Sequence, residues 1–335
     1  MALHALEDID DALDVTKAFL LPIDRTQWVK LAVVVFFVGG PGANLNSFQF
    51  NVPTDGGTLP GGGSLPPEIG ANLLFAIAAV VVVALLLGLG LLLVGSIMEF
   101  VLIESLRRET VTLRRYWGDR WRQGVRLFAF RLVVGLLVFG SVAVLAVLVL
   151  LPVVVETGAG EAAGLSVIGF LLLLPVVAVL AVVVGLLNGF TTVFVVPIMV
   201  LDGGGVLDGW RRLWPTITGN VWQYLAYAVV GAVLNLVGGL LAAIATGVGV
   251  LVLLIPFGLL AAIGAAVFAV APTLGLGVLA VVALVFGATV LVVTALVQVP
   301  VVTYLRYYAL LVLGDIEPDF DLLPERRASV RADDE

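Results

Sequence analysis

Five polar residues that could support chemistry lie inside long apolar runs of this chain. They are Glu99, Arg131, Asn188, Asn235 and Gln298. A charge or an amide in hydrocarbon is costly unless it finds a partner. The antiparallel segments that hold Glu99 and Arg131 predict an ion pair between them. The three amides predict hydrogen bonds between helices. The functional alternatives are a proton- or ion-coupled site at the charged pair and a polar path lined by the amides.

The sequence offers little material for catalysis or metal binding. His4 is the single histidine, there is no cysteine, and the carboxylates are dispersed without metal-ligand spacing. The glycines that follow one another at a spacing of two lie in or beside apolar runs and are therefore not phosphate-binding loops. No phosphate-binding GxxxxGK[ST] motif occurs. We therefore predict no catalytic residues, no metal site, no cofactor and no enzymatic activity.

The elements that carry these residues must be membrane helices. Apolar residues make up 61% of the chain and charged residues only 12%, whereas a soluble protein of this size needs far more polar surface. A helix needs about 20 apolar residues to cross the hydrocarbon. We predict an all-α fold, a polytopic integral membrane helical bundle with about six transmembrane helices. The predicted spans are about 28–40, 73–103, 127–153, 165–200, 222–255 and 275–305.

The arginines indicate how the spans are oriented. Segments 104–126 and 202–221 are arginine-rich, whereas 41–72, 154–164 and 256–274 contain neither lysine nor arginine. By the positive-inside rule, both termini are predicted to be cytoplasmic, in a multi-pass protein of the cell membrane. Tryptophans and tyrosines near the arginines predict an aromatic belt. Its interface anchors are Trp28, Trp117, Trp121, Trp210, Trp214, Trp222, Tyr304 and Tyr307.

Three regions follow from this pattern: an acidic amphipathic surface helix at 1–24, the six-span membrane domain at 25–312 and an acidic cytoplasmic tail at 313–335. In the first region, Leu6 and Leu13 belong to a predicted apolar stripe opposite acidic residues that include Asp8. Two places leave alternatives open. The span 28–40 is short for a full crossing, and 256–274 is predicted to be a re-entrant or external apolar element.

Short motifs support a family resemblance. Residues 194–202 read FVVPIMVLD and residues 209–214 read GWRRLW, which resembles the six-helix membrane domain attached to some glycerophosphodiester phosphodiesterases. The opening ALEDIDDAL at 5–13 and LPIDRTQW at 21–28 resemble uncharacterised multi-pass membrane proteins of halophilic archaea. These resemblances imply location and helix number only. The phosphodiesterase barrel has no counterpart here, so no catalytic residue is carried over.

The expected partners are membrane lipids and a protein that docks on the cytoplasmic loops or the N-terminal helix; nucleic acid is not expected, because acidic termini flank the basic loop. The molecular function stays open between two classes. One is envelope organisation, or service as the membrane subunit of an assembly. The alternative is a carrier for a small molecule or a lipid. A carrier requires the five intramembrane polar residues to converge on a cavity, whereas a scaffold spreads them among helix contacts.

Overall fold

A computed structural model describes residues 4–39 and 67–333, and this part of the chain contains helices and turns but no strand. The all-α class is therefore confirmed. Several helices are long and apolar enough to cross a membrane, as expected of a polytopic membrane protein. Within the described residues these segments are Phe75–Arg108, Leu113–Val147, Leu173–Asp202, Val221–Val270 and Pro272–Ile316.

The chain divides into two compact units. Unit 1 comprises Met1–Val15, Gly118–Val230 and Arg306–Glu335, and unit 2 comprises Thr16–Trp117 and Gly231–Leu305. The helices, in chain order, are α1 His4–Leu20, α2 Arg25–Gly39, α3 Pro67–Arg108, α4 Leu113–Phe190, a π turn Thr191–Val195, α5 Val196–Asp202, α6 Val206–Gly219, α7 Val221–Val270, α8 Pro272–Ile316, a 3-10 turn Pro318–Phe320 and α9 Pro324–Asp333.

Helix α1 buries Phe19 and Leu20 in its last turn, as its predicted apolar stripe requires, but a different face in its earlier turns. Ala5, Asp8, Ala12 and Val15 are buried, at the three- and four-residue spacing of one helix face, whereas Leu6 is 55% exposed. Asp8 was placed on the acidic outer surface by its type, and this placement is wrong. The buried face is built from small residues, which let the helix approach its neighbours closely.

Helix α2 starts where the sequence supplies a cap. Asp24 Oδ1 accepts a hydrogen bond from the Thr26 amide at 2.9 Å, the usual N-cap arrangement. The helix has 15 residues and is therefore about 22 Å long, shorter than the hydrocarbon layer. The prediction that 28–40 crosses thus stays a prediction. Most of the segment 41–72, which contains neither lysine nor arginine, lies outside the described residues.

Helix α4 contains both the third and the fourth predicted span. It runs without interruption for 78 residues, through the predicted connection 154–164, whose alanines and glutamates are good helix formers. A straight helix of this length would be about 117 Å long. Hydrogen bonds from Arg131 to Thr192 and from Gln123 to Met199 instead join the two ends of this stretch, so the chain reverses its direction between them, as two successive spans require.

Helices α7 and α8 form a hairpin inside unit 2. A Cβ built at Gly249 would lie 2.9 Å from Val293, one at Gly264 would lie 2.8 Å from Leu279, and Phe257 packs edge-on against Phe286 with ring centres 5.2 Å apart. These pairs keep a nearly constant register, as antiparallel helices must.

The hairpin shows the form of the segment 256–274, while its predicted place as a re-entrant or external apolar element stays a prediction. Helix α7 continues past Pro256 to Val270, and α8 starts at Pro272 after a turn at Ala271. Proline at the first helical position is favourable, while the residue before it is driven out of the helical region. The segment is thus the closed end of a helical hairpin.

Candidate functional site

The polar centre of unit 1 is the π turn between α4 and α5. Its first residue, Thr191, is buried, donates a hydrogen bond from Oγ1 to the Leu187 carbonyl at 2.6 Å, and accepts one from Trp210 Nε1 at 3.0 Å. A π turn adds one residue to a helical turn and is frequent at functional sites. Here it turns two threonines toward donors on neighbouring helices.

Two arginines converge on the next residue, Thr192. Arg131 Nη2 donates to Thr192 Oγ1 at 2.8 Å, and Arg306 Nη1 donates to the Thr192 carbonyl at 3.2 Å. Both guanidinium groups are half-buried. This arrangement places two guanidinium groups against one residue of the π turn.

Aromatic side chains pack beside the π turn. Phe194 contacts Tyr224 and Tyr227, with ring centres 5.3 and 4.7 Å apart, and Tyr227 stacks on Tyr308 at 5.6 Å. The Tyr308 hydroxyl donates to the Ala5 carbonyl at 2.7 Å. The aromatic cluster therefore links the start of α7 and the end of α8 to α1.

The first turns of α4 cap the end of α5. Gln123 Nε2 donates to the Met199 carbonyl at 2.7 Å, Arg120 donates to the Val200 carbonyl at 3.3 Å, and Arg126 donates to the Gly204 carbonyl at 3.3 Å. The last carbonyls of a helix lack helical partners and carry the negative end of the helix dipole, so cationic donors suit them. These arginines of the basic loop therefore have a structural role.

An ion-pair network joins α1, α8 and α9. Arg331 Nη2 lies 3.0 Å from Asp8 Oδ1 and 2.6 Å from Asp315 Oδ2, while Arg331 Nε lies 3.0 Å from Asp11 Oδ2. Arg327 adds a second contact to Asp315 at 2.9 Å. We call these five residues the tail network.

Burial inside the tail network changes the acidity of Asp8. Desolvation, with help from the neighbouring carboxylate of Asp315 and a hydrogen bond to it, raises the pKa of Asp8 from 3.8 to about 8, against the opposing attraction of Arg331. The folded protein therefore holds a proton that the unfolded chain releases near pH 4.

We expect the pH dependence of stability to report this proton. Between pH 4 and pH 8 the folded state binds more protons than the unfolded state at Asp8, so stability falls as pH rises through this range. Asp8→Asn removes this contribution. The melting temperature, followed by tryptophan fluorescence in detergent, is expected to fall less for Asp8→Asn than for wild type between pH 5 and pH 9. Asp10→Asn, at an exposed position on the same helix, is the control; equal slopes in all three proteins would contradict the expectation.

The five predicted intramembrane residues have different surroundings. Arg131 contacts the π turn, and Asn188, one turn earlier on α4, has a buried Oδ1 without a hydrogen-bond partner among the described residues. Asn235 donates to the Gly231 carbonyl of its own helix at 2.8 Å. Gln298 Oε1 lies against Gly39, 3.1 Å from where a Cβ would be.

Glu99 is buried, with 1% of its surface exposed, on α3. Its predicted ion pair with Arg131 stays a prediction, since the hydrogen bond described for Arg131 goes to Thr192.

The predicted interface anchors divide into exposed and buried side chains. Trp121, Trp214 and Trp222 are 47, 59 and 75% exposed, as a headgroup contact requires. Tyr307 is 1% exposed and therefore packs inside the protein instead. The remaining anchors are half-buried: Trp28, Trp117, Trp210 and Tyr304. Of these, Trp28 Nε1 donates to the Leu20 carbonyl at 3.3 Å.

Several residues of the site were missed by the sequence analysis. Thr192, Arg306 and Gln123 are ordinary residue types at ordinary positions, and no local pattern marks them. Asp8 could have been found, because Ala5, Ala12 and Val15 share its helix face and only a buried face explains so many small apolar residues there.

The described residues contain no group of three or more histidine, cysteine, aspartate or glutamate side chains arranged to hold a metal ion. No curated protein and no solved structure matches the chain. One family model does match, over residues 3–323, and its description is a family of unknown function, DUF7544. The match covers nearly the whole of the helical chain described above, so the protein belongs to the DUF7544 family.

Proposed function

We propose that this protein is the membrane subunit of a larger assembly in the cell envelope, and that it is not an enzyme. The observation that supports this proposal is the length of the α7–α8 hairpin. Its apolar surface is longer than a bilayer is thick, so lipid alone does not cover it.

Helix α7 is longer than the hydrocarbon layer is thick. Its stretch from Gly231 to Val270 is about 60 Å long, and the hydrocarbon layer is about 30 Å thick. At a tilt of 40°, the upper end of the usual range, it still spans about 46 Å. Large apolar side chains towards the closed end of the hairpin are exposed: Leu259 is 66%, Val270 88% and Leu274 67% exposed. Contiguous apolar surface outside lipid is typical of a protein interface.

The intramembrane polar residues also support a structural role over a carrier. Asn235 bonds to its own helix, Arg131 bonds to Thr192 of the π turn, and Gln298 lies against Gly39 of α2, so these three residues are used in helix contacts. Two cavities, of about 630 and 350 Å³, are lined by other residues. A binding site for a transported molecule would instead gather polar side chains around a cavity at membrane depth.

Site-specific photo-crosslinking in cells tests the proposal. A benzophenone amino acid at Leu259 or Leu274 is expected to capture a protein, either a different chain or a second copy of this one. The same probe at Leu236, which is exposed near the other end of α7, is the matched control and is expected to capture lipid. Mass spectrometry of the tagged protein, purified in mild detergent at native salt, should then identify the same partner in stoichiometric amount.

The opposite outcome is equally clear. If all three positions capture only lipid, and the purified protein is alone with one defined metabolite or lipid, the assembly proposal is wrong and the carrier gains support. Variants of Glu99 and Asn188 would then be the next to test.

We also propose that both termini are cytoplasmic in the cell membrane of a halophilic archaeon. The arginine distribution supports the orientation, and 15 arginines against two lysines, with a net charge of −7, suit a salt-adapted organism. A distant relation to the membrane domain of glycerophosphodiester phosphodiesterases rests on the motifs at 194–202 and 209–214. Single cysteines at Ser329 and Thr273 in this cysteine-free chain test the orientation: an impermeant reagent should label only the second in intact cells.

A further inference from the structure

We propose that a basic depression at the start of α4 binds the phosphate headgroup of an anionic membrane lipid. The depression lies within unit 2, is open to the outside and has a volume of about 630 Å³. Its lining residues come from α2 and from the first turn of α4: Lys30, Thr112, Leu113, Arg114 and Arg115. Three of the five are cations and none is a carboxylate, so the lining is complementary to an anion.

Two of the cationic side chains, those of Lys30 and Arg114, are available to a ligand. Lys30 and Arg114 form no hydrogen bond or ion pair with another residue in the described part of the chain. Lys30 is half-buried and Arg114 is exposed, which places one ammonium at the wall of the depression and one guanidinium at its mouth. A guanidinium fork and an ammonium are the groups that proteins use most for phosphate.

Backbone amides add to this positive field. The first helical hydrogen bond of α4 runs from the Tyr116 amide to the Thr112 carbonyl at 3.1 Å, so the amides of residues 113–115 have no acceptor within the helix. The start of a helix carries the positive end of the helix dipole, which adds to the charge of the cationic side chains in the lining.

The site is held in place by the connection before it. Glu109 adopts a left-handed conformation with φ of 53°, which turns the chain after α3. The Thr110 and Tyr116 hydroxyls are hydrogen-bonded at 2.9 Å, and the Arg108 guanidinium lies 5.8 Å from the centre of the Tyr116 ring. These contacts fix the connection between α3 and α4, so little ordering is needed when a ligand binds.

Its surroundings favour a lipid over a free anion. Trp28 precedes Lys30 by two residues and Trp117 follows the arginines by two, the pattern of the headgroup layer. Val33, one turn beyond Lys30 on α2, is 40% exposed, and residues three apart share a helix face. An acyl chain can therefore lie along α2 while its phosphate occupies the depression.

Native mass spectrometry of the full-length protein tests this site. The probe is phosphatidylglycerol in detergent micelles, with zwitterionic phosphatidylcholine for comparison. We expect the wild type to retain one phosphatidylglycerol in preference to phosphatidylcholine. Each cation removed should weaken retention about fivefold, so Lys30→Gln and Arg114→Gln should each lose about fivefold and the double variant about 25-fold. Arg107→Gln, an exposed arginine outside the depression, should change retention less than twofold.

The same experiment can overturn the proposal. Retention by the double variant equal to that of wild type would refute it, and so would an equal loss in Arg107→Gln, which would indicate general attraction to the basic loop. Binding of inorganic phosphate without any preference for phosphatidylglycerol over phosphatidylcholine would show that the depression takes a free anion and not a lipid. Each variant's melting temperature identifies a folding defect, and the single variants remain informative if the double variant is unstable. The inference does not depend on the proposed assembly role.

Discussion

Replacing Arg331 with alanine is expected to destabilise unit 1 by about 1–2 kcal/mol, because its half-exposed guanidinium is the donor shared by three carboxyl groups, and the Asp8 carboxyl is buried. The guanidinium contacts Asp8, Asp11 and Asp315 within 3.0 Å. Without it, the charged carboxylates of Asp11 and Asp315 lose their shared partner, and the buried Asp8 carboxyl, which stays protonated in the folded protein up to about pH 8, loses a hydrogen-bond donor that water cannot replace because 0% of the side chain is exposed. Thermal unfolding in detergent, followed by tryptophan fluorescence, measures the loss.

Two companion variants separate charge from packing. Arg331→Lys keeps the charge but cannot form the forked contacts, so an intermediate loss is expected. In Asp8→Asn/Arg331→Ala both partners of one contact are changed, so the double variant should lose less than the sum of the two single changes. Arg122→Ala, at an exposed position, is the control. An unchanged melting temperature in Arg331→Ala would show that the tail network contributes nothing to stability.

Gly275→Ala is expected to open the closed end of the α7–α8 hairpin, at a cost of about 3 kcal/mol. A Cβ at this position would lie 2.1 Å from Phe268 Cα and 2.3 Å from Phe268 N. Both are backbone atoms, so no side-chain rotation can relieve the overlap and the two helices must move apart. The opening is expected to make the chain near Phe268 easier to cleave in limited proteolysis and to lower the melting temperature.

The matched control lies two residues away on the same helix. A Cβ at Gly277 meets no described atom within 4 Å, and alanine is a better helix former than glycine by about 1 kcal/mol. Gly277→Ala is therefore expected to be neutral or stabilising. Equal effects at the two positions would mean that helix propensity, not the contact with Phe268, determines the result.

Much of the fold follows from composition, because a bilayer imposes strong rules on a chain. Apolar runs of sufficient length predicted the membrane class and the regions of α3, α7 and α8. Caps and prolines account for several ends, such as Asp24 before α2 and Pro272 at the start of α8. The end of α7 was misjudged, because Pro256 resembles a terminator but is tolerated inside this helix.

Which faces meet could not be predicted. In α7 and α8 almost every side chain is apolar, so no amphipathic stripe distinguishes a protein contact from lipid. Within unit 1 the important contacts join residues far apart in sequence, such as Arg306 with Thr192 and Arg331 with Asp8. A single sequence contains no record of such pairs. The two arginines at the π turn were visible as residues but not as neighbours.

The tail network also constrains how the protein is made. Arg331 follows Asp8 by 323 residues, which at 5–20 residues per second corresponds to about 16–65 s of translation. During that time the membrane segments between the two residues are synthesised one after another. Asp8 is ionised and lacks its guanidinium partner until Arg331 has been made. Contact between α1 and α9 can therefore form only after the segments between them have been synthesised, which makes the tail network one of the last contacts of unit 1 to form.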